Sequence, residues 1–213
     1  MLRNVILISG KKSVGKDTVA DYLTSFPSTI KIGFAEALKD TLRSLFDIDI
    51  TNHEGEALSR DLREKIQFFG TDACRRVDAD VWCKKVVTRL EDILRHGVVR
   101  TVVIKDTRFP NEIEYVKTWG LSRGIKVTSI RLNRSGDGGH KLLDHSIILS
   151  PKPSPITLSD VSSINIDYTD SHISEVALDN YKDFDYVLTR TPSTTPEMTF
   201  AFINTILDNE LRE

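Results

Sequence analysis

Residues Gly10-Lys11-Lys12-Ser13-Val14-Gly15-Lys16 have the G-x-x-x-x-G-K spacing of a loop that cradles phosphate. In such a loop the backbone N–H groups converge on a β-phosphate. The helix that follows adds the positive end of its dipole, and the lysine neutralises β and γ oxygens. This chemistry assigns Gly10, Lys12, Ser13, Val14, Gly15 and Lys16 to a nucleoside triphosphate, with Lys16 as the catalytic cation.

The residue after the lysine is Asp17, where these loops usually carry the Ser or Thr that ligates magnesium. A carboxylate ~5 Å from a phosphate charge costs on the order of 3 kcal/mol at an effective dielectric of 20, so a positive group must stand between them. Mg²⁺ with its water shell fits, since a carboxylate can hold it through water, and Thr18 can supply a hydroxyl. Alternatively Asp17 favours the positive helix end and points away from ligand, which is worth about 0.3–1 kcal/mol. The sequence leaves both readings open.

Asp106 follows "TVVIK" at the end of a buried run and precedes Thr107 and Arg108. On the carboxyl edge of an open sheet an acid suits magnesium-bound water and an arginine suits phosphate. Asp106 can equally cap the helix that follows. Lys39, Arg75, Arg76, Arg131 and Arg134 are further cations near the ends of expected elements, where the default role of a lone charge is a solvated face.

The elements that must position these groups are readable from periodicity. "NVILIS", "STIKIGF", "RTVVIKD", "GIKVTSIRL" and "FDYVLT" are short apolar or β-branched runs, and the first reads as a strand buried on both faces. Helical spacing covers Ala35–Phe46, the first helix of a substrate-side helical part over about 35–96. Two helices are expected between Leu58 and His96, separated near "GTD", with Gly97 as a stop. A helix with Pro110 in its first turn is expected to end near Gly120, and others lie near Ser174–Asn180 and from Pro196 to Leu211. Alternating strands and helices argue for an α/β domain with a mainly parallel sheet and helices on both faces. The whole chain, 1–213, reads as a single domain, with a polar, Gly- and Pro-rich lid or insert over about 133–171.

A net charge of −2 with 28% charged residues gives no basic excess for gripping a nucleic-acid polymer. No apolar run reaches membrane-span length, and the N-terminus lacks a signal-peptide pattern, so the chain reads as cytoplasmic. The two cysteines, Cys74 and Cys83, have no partners at metal spacing and read as reduced thiols. There is no N-K-x-D for guanine, no evident Ser-His-Asp set and no protein-kinase H-R-D or D-F-G. What remains is phosphoryl transfer to something small.

Several ordered motifs resemble the bacteriophage deoxynucleoside monophosphate kinases. "SGKKSVGKDTVADYL" is similar to that family's loop, which also has G-K-D-T, and "FAEALKD" to its F-A-x-P-L-K-D, with Ala37 in place of Pro. "QFFGTDACR" with Trp82 beyond, "DTRFPNEIE", "HISEVAL" and "FDYVLT" are similar to further family segments, although Arg190 stands where Asn is expected. The resemblance implies a nucleoside monophosphate kinase-like fold with a five-stranded parallel sheet. It also implies ATP and Mg²⁺ as cofactors, a deoxynucleoside monophosphate (dNMP) as acceptor, and a homodimer. Lys39, Gln67, Gly70, Thr71, Asp72, Arg75 and Trp82 would lie near the acceptor, with Asp106 and Arg108 at the phosphates. Arg131 and Arg134 would be lid arginines, and His172, Ser174 and Glu175 would close over the nucleotide. Lys16, Arg108 and Arg131 would then share the charge of the transferring group. An alternative enzyme with a similar loop is a phosphomevalonate kinase-like small-molecule kinase, and an alternative of another class is a non-catalytic nucleotide switch.

Overall fold

The computed structural model describes residues 1–46, 65–135 and 173–211. In chain order the elements are β1 (Asn4–Gly10), α1 (Lys16–Thr24), β2 (Thr29–Ile32) and α2 (Phe34–Phe46). A π-helical turn (Phe68–Ala73), α3 (Cys74–Val77), α4 (Val81–His96), β3 (Thr101–Thr107) and α5 (Pro110–Arg123) follow. The chain closes with β4 (Lys126–Arg134), α6 (Ile173–Val176), β5 (Tyr186–Arg190) and α7 (Pro196–Leu211).

The strands form one five-stranded sheet in the order β2-β3-β1-β4-β5, and every described pairing is parallel. Alternation along β1 explains its unbroken apolar run. Val5 and Leu7 join the core under α2, α4 and α5, while Ile6 and Ile8 join the core under α1 and α7. This is an α/β fold with helices on both faces, and the loop after β1 sits at the centre of the carboxyl edge.

Three local expectations are corrected. "GTD" does not separate two helices: Gly70, Thr71 and Asp72 lie within the π-helical turn, which runs on into α3. The break comes at Asp78, whose backbone is extended and whose Oδ1 accepts the N–H of Asp80 at 3.0 Å, a local turn that competes with the helix. Gly120 does not end α5, because its missing side chain lets the helix approach β4; a Cβ there would stand 2.3 Å from Val127 Cγ2. The stop is Gly124, at φ 64°. The helix expected over Ser174–Asn180 is shorter and earlier, ending at Val176. Most of the lid or insert region, and His172, lie outside the described residues.

Candidate active site

The loop between β1 and α1 has the geometry its sequence asks for. Gly15 precedes α1 at φ 98°, a conformation that a side chain disfavours. A Cβ on Gly10 would come within 2.6 Å of the Leu132 carbonyl, so only glycine passes β4 at that point. Val14 is buried in the core, which anchors the loop, whereas Lys12 and Ser13 are exposed. Lys16 opens α1, is 9% exposed, and donates to the carbonyls of Gly10 and Lys11 at 2.6 Å each. Its ammonium therefore spans the loop mouth.

Asp17 and Thr18 are exposed in the first turn of α1. The Lys31 ammonium on β2 is held above its ordinary range, chiefly by its hydrogen bond to Asp21, with Asp17 adding a smaller attraction. Both readings of Asp17, toward magnesium waters or toward the helix end, are compatible with this position. The oxygen donors present, a carboxylate and a hydroxyl beside Lys16, are of the type magnesium takes through water.

The arginines of β4 and β5 meet the loop from the other side. Arg134 donates to the Ser13 carbonyl at 2.6 Å, and Arg190 donates to the Val14 carbonyl at 2.9 Å. Arg131 is 7% exposed and faces inward. Its Nη1 donates to Ser9 Oγ at 2.9 Å, its Nη2 to Asp179 Oδ1 at 2.8 Å and its Nε to Asn133 Oδ1 at 3.2 Å. In this conformation its charge stands behind the loop rather than over it.

On the β3 side lies a cleft of about 220 Å³ lined by Phe34, Leu38, Gln67, Gly70, Thr71, Arg75, Trp82, Asp106, Arg108, Phe109, Glu112 and Ser174 among others. Trp82 donates its indole N–H to the Gly70 carbonyl at 2.7 Å, fixing the ring to the π-helical turn. Leu38 packs against Gly70, where a Cβ would stand 2.4 Å from Leu38 Cδ2 and push that side chain aside. Gln67 Oε1 is buried in this wall with no hydrogen-bond partner, an acceptor in want of a donor.

The arginine-bearing side of the cleft is built on Glu112. This carboxylate is 1% exposed, accepts the N–H groups of Arg108 at 2.7 Å and Phe109 at 3.1 Å, and pairs with Arg75 at 2.5 Å. Arg75 also stacks over the Phe109 ring, 4.1 Å from its centroid, so its guanidinium is held from two directions. Arg108 donates to the Ser174 carbonyl at 3.3 Å, tying α6 to the cleft.

Asp106 does something the sequence did not suggest. Its two oxygens accept the N–H groups of Phe34 and Ala35, each at 2.8 Å, so it caps α2 rather than the helix that follows it in the chain. Burial pushes its carboxyl above the ordinary range, against the opposing pull of those two N–H groups and of Arg108. Gly33 makes room for it, because a Cβ there would lie 2.7 Å from Asp106 Oδ2.

Of the expected acceptor residues, the structure brings together Gln67, Gly70, Thr71, Arg75, Trp82, Asp106, Arg108 and Ser174. Lys39 on α2 and Asp72 in the π-helical turn are not on the cleft wall. Glu175 falls in α6, and its side chain lies outside the described part. Sequence reasoning missed Asp179 and Ser9, for which no spacing signal exists. It gave Glu112 no role of its own beyond its place in "DTRFPNEIE", and noted Arg190 only as a departure from a pattern. Burial pushes both thiols up, Cys83 to about 12, which leaves neither as a thiolate nucleophile.

No family model matches the sequence, and no curated protein matches it. Among solved structures the chain is similar to an unliganded sugar kinase from a Janibacter species, at 12% identity over 98% of this chain and 95% of that one, TM-score 0.46. It is similar to the Mycobacterium tuberculosis APS kinase in complex with AMPPNP and APS, at 12% identity over 97% and 98%, TM-score 0.45. It is also similar to the dephospho-CoA kinase of Campylobacter jejuni, at 11% identity over 99% and 98%, TM-score 0.49.

Proposed function

We propose that the chain transfers the γ-phosphoryl group of ATP to a deoxynucleoside monophosphate, giving ADP and a deoxynucleoside diphosphate. One observation carries the reading. A phosphate loop at the end of β1 and an arginine-bearing aromatic cleft at the end of β3 stand side by side on one sheet edge. Neighbouring strands are about 4.8 Å apart, which is the right scale for one phosphoryl group to pass between two bound phosphates.

The acceptor's phosphate oxygen is already anionic, so transfer needs no general base and depends on position and charge neutralisation. Lys16 meets the β and γ oxygens, Arg108 stands at the cleft's phosphate end, and Arg131 adds positive potential from behind the loop. Arg75, braced by Glu112 and Phe109, holds the acceptor phosphate. Phe34, Phe109 and Trp82 offer flat apolar surface for a base, and Gln67 Oε1 offers an acceptor to a base amino group. Asp17 and Thr18 would hold magnesium through water, with Asp106 beside the transfer path. When bound, the ion supplies charge neutralisation on the phosphate oxygens.

The test is an ADP-release assay over dNMPs, ribonucleoside monophosphates and phosphomevalonate. Turnover is expected with dNMPs. It should fall by at least about 10³-fold in Lys16→Ala while the circular-dichroism spectrum is unchanged. Preference for phosphomevalonate, or AMPPNP binding without any acceptor-dependent turnover, would overturn the assignment.

A further inference from the structure

Five cations around the phosphate loop, Lys11, Lys16, Arg131, Arg134 and Arg190, rest on protein oxygens that differ in kind. Lys16, Arg134 and Arg190 rest on neutral carbonyls. Lys11 and Arg131 share a full negative charge: Asp179 Oδ2 lies 3.1 Å from Lys11 Nζ, and Asp179 Oδ1 accepts Arg131 Nη2 at 2.8 Å. A carboxylate between an ammonium and a guanidinium is the arrangement that an incoming phosphate would otherwise make.

Asp179 is also held in place. Its N–H donates to the Val176 carbonyl at 2.9 Å, and the neighbouring Leu178 is 3% exposed within the larger core cluster. The backbone that carries the carboxylate is therefore anchored, which keeps Asp179 within reach of Lys11 when an anion arrives. Lys11 and Asp179 side chains are 36% and 32% exposed, so the pair is reachable from solvent.

We infer that Asp179 is an internal counter-ion that competes with nucleotide phosphate for Lys11, and so sets the affinity of the loop low enough for product to leave. The inference rests on reading the loop as a nucleotide site. Lys11 is drawn partly toward the phosphates when nucleotide binds, and Asp179 recaptures it as the diphosphate departs. Arg131, deeper and bound to Ser9 as well, keeps its place throughout.

The experiment is isothermal titration of the full chain with AMPPNP, ADP and inorganic tripolyphosphate. Removing one charge from a partly exposed pair should let Asp179→Asn bind each of them about fivefold tighter than the wild type. In the Lys11→Met/Asp179→Asn double variant that gain should largely disappear, because it runs through Lys11. Unchanged or weaker binding by Asp179→Asn overturns the inference, and so does a gain that survives the loss of Lys11. If Asp179→Asn does not fold, Lys11→Met alone decides. An ammonium already neutralised by Asp179 should cost less than twofold in AMPPNP affinity when removed, and a larger loss overturns the proposal. Turnover separates the two readings. A chain that binds AMPPNP but turns over no acceptor loses the kinase assignment while the affinity comparison still stands. A chain that turns over normally, yet shows no gain in Asp179→Asn, loses only the counter-ion.

Discussion

Arg134 and Arg190 are register partners on β4 and β5, and their guanidinium groups donate to consecutive carbonyls of the phosphate loop, Ser13 at 2.6 Å and Val14 at 2.9 Å. The cleft with Arg75 and Arg108 lies on the opposite side of β1, toward β3. In the proposed reaction the transferred group would face that cleft, and the rest of the donor nucleotide would extend toward the paired arginines.

Arg190 should therefore contribute to donor binding although a family resemblance places Asn at its position. A charge-assisted hydrogen bond is worth about 1.5–3 kcal/mol, so Arg190→Ala should raise the AMPPNP dissociation constant about tenfold or more. Calorimetric titration measures this. The sign is opposite to that expected for Asp179→Asn, and an unchanged constant would remove Arg190 from the donor site.

Glu112 is predicted to be structural and functional at once. In Glu112→Gln the Arg75 guanidinium loses its counter-ion in a nearly closed site, which should destabilise the fold by about 2–4 kcal/mol in urea unfolding. Arg75 would also lose its fixed aim, so the acceptor KM should rise more than the ATP KM. Equal rises in both would mean that Glu112 only supports the fold.

Asp185 should give the stability a measurable acid slope. Burial raises its carboxyl, but the Ser129 N–H at 2.7 Å, the Lys117 ammonium at 2.9 Å and the Ser129 hydroxyl at 2.7 Å outweigh it and hold the group below its ordinary value of 3.8. A depressed acid contributes stability that is fully present above the ordinary carboxylate range and is lost as pH falls through the folded value. Unfolding free energies from pH 7 down to pH 3 should fall in the wild type, and more gently in Asp185→Asn. Parallel curves would dismiss this role.

Much of the fold was legible because β1 is a continuous apolar run that ends on Gly10, β3 opens on the β-branched run "TVVI", and Gly124 stands just before β4. Composition could not place the break after "GTD", since six residues are too few for the wider period of a π-helical turn to be told from that of an α-helix. Gly120 misled for a related reason: a glycine that admits a neighbouring strand looks the same in sequence as one that ends a helix. Within the site, the loop was readable because its chemistry lies in contiguous residues. The Glu112–Arg75 pair joins positions 37 residues apart, and the Arg131–Asp179 pair joins positions 48 apart, so neither has a local signature. Asp106 was located correctly near its strand end, but its partners, Phe34 and Ala35, open the helix that follows β2, and only the pairing of β2 with β3 brings them to it.

Cations gathered around one loop repel one another unless oxygens stand between them. Here Lys16, Arg134 and Arg190 already lean on the loop's own carbonyls, and Lys11 and Arg131 on a carboxylate. These contacts are internal to the chain, so the loop's shape is held by its own oxygen shell. Nucleotide should act as a visitor to a finished fold, raising the melting temperature only by the mass-action increment its concentration dictates.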